Sequence, residues 1–209
     1  GTNGSQTARY FGIAWAMGIV VIGPPAMEEM VGVAGPQCHG GRCGVKHFQT
    51  YPSPIGPLTV VCEDGHLSGV MFDGDPLLQK ELPQMDLGQQ RIFGPVYEQL
   101  DAYFAGKLRR FELPLKLNGT SFQVSVWEAL ARIPYSQTWS YSQLAQEVGR
   151  PKAMRAVGAA NGRNPIVIVI PCHRVIGTDG SLTGFGGGLP RKRFLLDLEA
   201  RATQGALDL

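Results

Sequence analysis

Ile166-Val-Ile-Val-Ile170 is an unbroken run of β-branched aliphatic residues, and Pro171 closes it. Five such residues are too few for a helix and too apolar for a loop, so the run reads as a short strand buried on both faces. Whatever fold forms must wrap a core around this run and place the next four residues, Cys172-His173-Arg174-Val175, at the exit of that core. A thiol kept for packing would sit inside the run. Here Pro171 breaks the backbone first and directs Cys172 elsewhere.

A core of that kind is within reach: 209 residues, 44% of them hydrophobic, suffice for one or two compact domains. The four cysteines, Cys38, Cys43, Cys62 and Cys172, are too few and too irregularly spaced for a disulfide framework. We therefore expect a reducing, cytoplasmic setting in which Cys172 is a free thiol. No run reaches the roughly 18 apolar residues of a membrane span. The apolar stretch 10–23, YFGIAWAMGIVVIG, is similar to a short signal-peptide core but is followed by no A-x-A cleavage pattern. Residues 1–46 are Gly-rich and show no sustained period, so they are expected to be an extension, disordered in part or an expression remnant.

From His47 the pattern sharpens. Residues 47–117 carry short apolar runs broken by SPIGP and EDG, the pattern of hairpins in an antiparallel sheet. Val96, Leu100 and Phe104 then recur at helical spacing, with Gly106 at the position that closes a helix. FELPLKL adds one more extended segment. Residues 118–202 are mainly helical, and 203–209 are a tail. Thr120–Gln123 and Ser140–Gln143 both fit the capping box that satisfies the free N–H groups of a first helical turn. After a turn at Gly149-Arg150, Pro151 is expected at the first position of a further helix ended by Gly162, giving a helix-turn-helix. The fold class expected is α/β: a small N-terminal sheet-and-helix domain and a mainly helical C-terminal domain.

That last helix presents Ala153, Ala156, Gly158, Ala159 and Ala160, which lets its backbone come close to a partner. Tight helix packing explains such a face equally well. The charge pattern favours phosphates: between Glu147 and Asp179 there is no acid, but there are Arg150, Lys152, Arg155, Arg163 and Arg174. Cys172 comes directly after. A cysteine nucleophile needs a lowered pKa, which His173 or neighbouring bases can supply, and a carboxylate to orient the histidine. Neighbouring side chains in extended backbone point to opposite sides, so pairing of Cys172 with His173 requires a turn after Pro171 or a bridging water. Glu199 in KRFLLDLEA is the better orienting carboxylate, because Asp179 lies in a TDGS turn.

Taken together, SYSQLA, RAVGAANGRNP, PCHRVIG and TGFGGGLPRKRFLLDLE resemble the O6-alkylguanine-DNA alkyltransferase family (methylated-DNA–protein-cysteine methyltransferases) of the bacterial stand-alone kind. The likeness is strong over residues 119–200, weaker from YPSPIGPLTVV onward, and absent over 1–46. It implies a monomer that binds double-stranded DNA through the minor groove, flips out O6-alkylguanine and moves the alkyl group irreversibly to Cys172, with no cofactor. Whether alkylated thymine is also accepted stays open. His173 with a water would take the thiol proton and Glu199 would orient His173. Tyr141 would donate towards guanine N3, Arg155 would enter the stack, and Asn164 would tie the recognition helix to the active-site strand. Lys152, Ala156, Gly158 and Arg163 complete the DNA-facing set. In the pocket, Val175 would offer its carbonyl to the exocyclic amine and Gly186 its N–H to O6, with Lys192 near by. Phe185 stands where relatives often have Tyr. Some relatives hold zinc in the N-terminal domain. Cys62 could contribute to such a site, but the other ligand positions do not line up, and Cys38, His39, Cys43 and His47 have spacing unlike zinc sites, so no metal is expected. Two other readings are a non-catalytic sensor of alkylguanine, against which the acceptor cysteine argues, and a Cys-His hydrolase, which leaves the small-faced basic helix unexplained.

Overall fold

The computed structural model describes residues 19–21 and 44–205. The expected extension lies largely outside them, as do Cys38, His39 and Cys43. The exceptions are residues 44–46, the last of which opens the first strand of the N-terminal half, and a short strand, β1 (Ile19–Val21), drawn from the apolar stretch and paired antiparallel with β6 (Pro114–Lys116). No strand is expected there from the sequence, because three residues show no period.

The N-terminal half is a six-stranded sheet with order β1-β6-β4-β3-β2-β5, where β2 is Lys46–Ser53, β3 Gly56–Glu63, β4 His66–Phe72 and β5 Asp86–Leu87. The β3–β4 hairpin turns on Asp64 (φ 50°) and Gly65 (φ 77°), the paired positive φ values that an Asp-Gly turn supplies. β3 is central, and so it is buried almost throughout. One face of the sheet packs Leu58, Val60, Cys62 and Val70 against Phe93, Val96, Leu100 and Tyr103 of α2 (Gln90–Phe104). The other face packs Val61 and Met71 on Leu78 of α1 (Pro76–Glu81) and on Met85. Each fully buried side chain of this kind contributes roughly 1.5–3 kcal/mol. α2 ends as expected, with Gly106 at φ 71° and the Lys107 N–H reaching back to the Ala102 carbonyl (2.8 Å).

The C-terminal half holds α3 (Ser121–Ala131), α4 (Tyr141–Glu147), α5 (Met154–Gly162) and α6 (Leu189–Gln204), with β7 (Trp139–Ser140) and β8 (Val175–Ile176) paired in parallel. Both capping boxes are formed, at Thr120 and at Ser140. α4 closes on Gly149 (φ 71°), with Arg150 N–H to Ala145 O at 2.8 Å. Pro151 does not open α5. The Ala153 N–H bonds the Arg150 carbonyl (2.8 Å), which puts Pro151 second in a β-turn, and the helix begins at Met154. α4 and α5 nonetheless form the expected helix-turn-helix pair, and the division into a small α/β domain followed by a mainly helical domain is present. No helix among the described residues is long and apolar enough to cross a membrane.

The run Ile166–Ile170 is buried as expected but is not a strand. Its start docks on the edge of β4, with Val70 N–H to Pro165 O (2.9 Å) and Val167 N–H to Val70 O (3.0 Å). The chain then reverses at Ile168, whose φ is +75°, with Val169 N–H bonded to Val167 O (2.9 Å). That is a tight γ-turn, in a conformation β-branched residues rarely adopt. It stands one short loop ahead of Cys172.

Candidate active site

Pro171 (φ −83°, ψ 62°) makes a second, unstrained γ-turn in which the Cys172 N–H bonds the Ile170 carbonyl (2.8 Å), and Cys172–Arg174 continue as one turn of 3₁₀ helix. This supplies the turn after Pro171 that the Cys-His pairing demands. Asn164 holds the preceding loop: its Nδ2 donates to Ile170 O (2.8 Å) and its Oδ1 accepts from the Ile166 N–H (3.1 Å).

Cys172 is 4% exposed, and His173 and Glu199 are fully buried. His173 Nε2 lies 2.8 Å from Glu199 Oε1. The Glu199 carboxylate also accepts from Tyr103 Oη (2.8 Å), the Ser136 N–H (3.0 Å) and Arg174 in a fork, Nε at 2.9 Å and Nη2 at 2.9 Å. Although burial opposes its charge, His173 and Arg174 hold its pKa down at about 2. A carboxylate only accepts, so His173 Nε2 carries the proton and Nδ1 presents a lone pair. Burial lowers the His173 pKa, keeping the ring neutral. Nδ1 is buried without a partner, and no hydrogen bond joins the ring to the thiol.

The thiol itself departs from expectation. Burial pushes Cys172 up to about 11, against the opposing pull of Asn164, Lys192 and the backbone N–H groups of Cys172 and His173. In the free protein Cys172 is therefore a protonated thiol, and the nucleophile forms only as its proton leaves.

Tyr141, at the first position of α4, is half-buried, and burial raises its pKa and keeps it protonated. Gly158 lies against its ring: a Cβ there would come within 3.6 Å, so this glycine faces Tyr141 more than solvent. Lys192 is fully buried and donates to the carbonyls of Val175 and Thr183, pinning the glycine loop to the site. The Val175 carbonyl, with one of its two lone pairs taken by Lys192, keeps the other for a further donor. Gly186 lines a small cleft with Cys172, Asn164, Phe72 and Phe185. Phe185, lacking a hydroxyl, packs edge-on against Phe72 at 5.7 Å.

Outside the cleft, Arg155 and Ala156 of α5 and Arg150, Lys152 and Arg163 in its flanking turns are all exposed. Arg174, grouped with them by charge, is buried as the Glu199 counter-ion. Ala160 is buried too, its carbonyl accepting from Trp127 Nε1 (2.9 Å), so the small-residue face serves packing on one side and access on the other. Sequence reasoning missed Tyr103, whose only signal was helical period, and Arg191. Arg191 donates to Ile55 O (2.7 Å) and Gly187 O (3.1 Å), joining the β2–β3 turn to the glycine loop. Among the described residues no group of three or more metal-ligating side chains forms.

A buried cysteine beside a histidine–carboxylate pair, with a basic helix-turn-helix in the same chain, defines a DNA-modifying protein that acts through a thiol. The comparisons specify which. Residues 46–117 match the family model described as the ribonuclease-like domain of 6-O-methylguanine DNA methyltransferase, and residues 121–201 match that family's DNA-binding domain. The chain belongs to this family. It is 48% identical over 165 residues to the methylated-DNA–protein-cysteine methyltransferase of Mycobacterium tuberculosis, covering 78% of this chain and 98% of that one. It is 46% identical over 154 residues to the protein of that name from Methanosarcina acetivorans, covering 73% and 97%. The crystal structure of Mycobacterium tuberculosis OGT in complex with DNA superposes with a TM-score of 0.69 at 46% identity, covering 75% and 94%.

Proposed function

We propose that the protein repairs DNA by transferring the alkyl group of O6-alkylguanine to Cys172, once per molecule. The observation that carries this is a buried, protonated thiol followed in the chain by a histidine that is paired with Glu199, in a protein that also carries an exposed basic helix. The target atom lies inside the duplex, so the nucleotide must be extruded, with Arg155 filling the gap and Lys152, Ala156 and Arg163 meeting the backbone. Sulfur attacks the alkyl carbon, the S–C bond forms and the C–O6 bond breaks. The thiol proton passes through water to His173 Nδ1 while Tyr141 protonates the departing base, and the charges are then cancelled as His173 releases its proton to solvent and Tyr141 takes one up. The net result is a thioether on the protein and an unmodified guanine. The protein acts as a monomer on double-stranded DNA, in the cytoplasm where its thiol stays reduced. We further infer that its two working units divide near residues 117–118.

Two variants test the parts. Arg155→Ala should slow repair of duplex DNA more than reaction with the free alkylguanine base, because only the duplex requires extrusion. Equal loss on both substrates would remove the stack-filling role. Tyr141→Phe should slow alkyl transfer by roughly 10²-fold in single-turnover assays while leaving duplex affinity nearly intact. An unchanged rate would assign Tyr141 to packing.

A further inference from the structure

Glu199 Oε1 accepts from His173 Nε2 (2.8 Å), from Tyr103 Oη (2.8 Å) and from Arg174 Nη2 (2.9 Å). A carboxylate oxygen offers two lone pairs, so His173 shares its acceptor with two competing donors. Arg174 also holds the other oxygen, as does the Ser136 N–H. The carboxylate is therefore satisfied without Tyr103. That residue comes from α2, in the N-terminal half, and is 1% exposed. Its ring is fixed by its neighbours, edge-on to Phe104 (5.4 Å) and Tyr135 (6.3 Å) and tilted on Phe111 (5.4 Å). Packing accounts for the ring and leaves the hydroxyl to be explained.

We propose that Tyr103 is a positioning residue through which the N-terminal half sets the basicity of His173, its hydroxyl drawing charge from the oxygen that His173 Nε2 bonds. The proposal rests on the alkyl-transfer reading and deepens it. A carboxylate stabilises an imidazolium through the charge it presents, and a donor bonded to the same oxygen reduces that charge. Tyr103 thus acts in the same direction as burial, which keeps His173 the neutral ring that must take the thiol proton.

The charged and titratable groups facing the His173–Glu199 pair are Cys172 and Arg174 on the same 3₁₀ turn, Lys192 from α6, Tyr103 from α2, and Tyr135 from the turn before β7, itself under the influence of Arg109. Burial keeps Tyr103, Tyr135 and Cys172 protonated between about pH 5 and 8. Lys192 bonds the carbonyls of Val175 and Thr183, so its effect on the ring is common to wild type and variant.

The test is the pH profile of single-turnover transfer from an O6-methylguanine duplex, with the His173 ring followed by nitrogen NMR in the free protein. Transfer fails on the acid side once His173 is already protonated. In Tyr103→Phe that limb should move to higher pH by roughly one pH unit, so transfer falls about ten-fold on the acid side and little on the plateau. The ring nitrogens should take up their proton at correspondingly higher pH. A ring-fluorinated tyrosine at position 103, a stronger donor, should move both readings the other way. Each limb is read within one protein, so partial loss of folded material cancels, and the fluorinated protein provides the second variant should Phe pack badly. A uniform loss of rate at every pH, with limb and ring signals in place, is the mark of a merely structural role and overturns the proposal, as does a limb moved to lower pH in Tyr103→Phe. A wild type that accepts no alkyl group from the duplex instead defeats the alkyl-transfer reading, and the NMR titration still decides the role of Tyr103.

Discussion

Cys172→Ser is expected to fold, to bind duplex DNA and to transfer nothing, a loss on the order of 10⁶-fold, the scale reached when a covalent nucleophile is removed. The reason lies in the state of the thiol. Burial holds it protonated, up at about 11, so every reaction depends on losing the proton through His173 as sulfur attacks. A serine hydroxyl in the same place is harder to deprotonate and a weaker nucleophile. The exchange of sulfur for oxygen changes little volume, so the urea midpoint and duplex affinity should stay near wild type. Residual transfer would require another acceptor. Cys62, the other free cysteine among the described residues, is buried in the sheet core, its pKa pushed up to about 12 by burial alone.

Loss of the Glu199 charge should have the largest effect on stability. Glu199→Gln leaves Arg174 buried without its counter-ion, a change that costs about 3–5 kcal/mol. It also replaces the charged acceptor that anchors His173 Nε2 by a neutral, weaker one, so the ring is held less firmly and its positive form is no longer stabilised, and transfer should fall by roughly 10²–10⁴-fold beyond any loss of folded protein. The same group governs acid sensitivity. The Glu199 carboxyl titrates at about 2 when folded against 4.5 unfolded, so its contribution is complete above about 4.5 and disappears as pH falls from there towards 2. His173 acts in the same direction: held neutral by burial, it contributes above its unfolded value of 6.5 and costs stability once solution pH favours the charged ring. The urea midpoint should decline from near pH 6.5 downward, with the part below about 4.5 flattened in Glu199→Gln. A midpoint rising on acidification would contradict the assigned charges.

The features that were legible in the sequence are those decided locally. Thr120 and Ser140 form their capping boxes within three residues, Gly106 and Gly149 close helices through bonds inside the last turn, and Asp64-Gly65 turns a hairpin by its own φ preferences. Pro151 was ambiguous, because the first position of a helix and the second position of a turn ask for the same φ. The Ile166–Ile170 run misled for a physical reason. Its burial was plain from composition, but the reversal at Ile168 is imposed from outside, by the β4 edge before it and by Asn164 on the Ile170 carbonyl after it. Arg174 shows the corresponding limit for charge. In sequence it extends a basic window, and in the fold it turns inward to a carboxylate 25 residues away. Tyr103 reaches the same carboxylate across 96 residues, a pairing that no local pattern announces. Cys172, His173 and Glu199 were legible together because nucleophile, base and orienting acid are a chemical set, whereas the high pKa of the thiol comes from burial that only the packed structure reveals.

Intact mass measurement after incubation with excess O6-methylguanine duplex, followed by peptide mapping, tests the central claim directly. The account predicts that every protein molecule gains the mass of one methyl replacing one hydrogen, that the added group maps to Cys172, and that repaired guanine plateaus at one equivalent per protein. Continued turnover with Cys172 unmodified would contradict it.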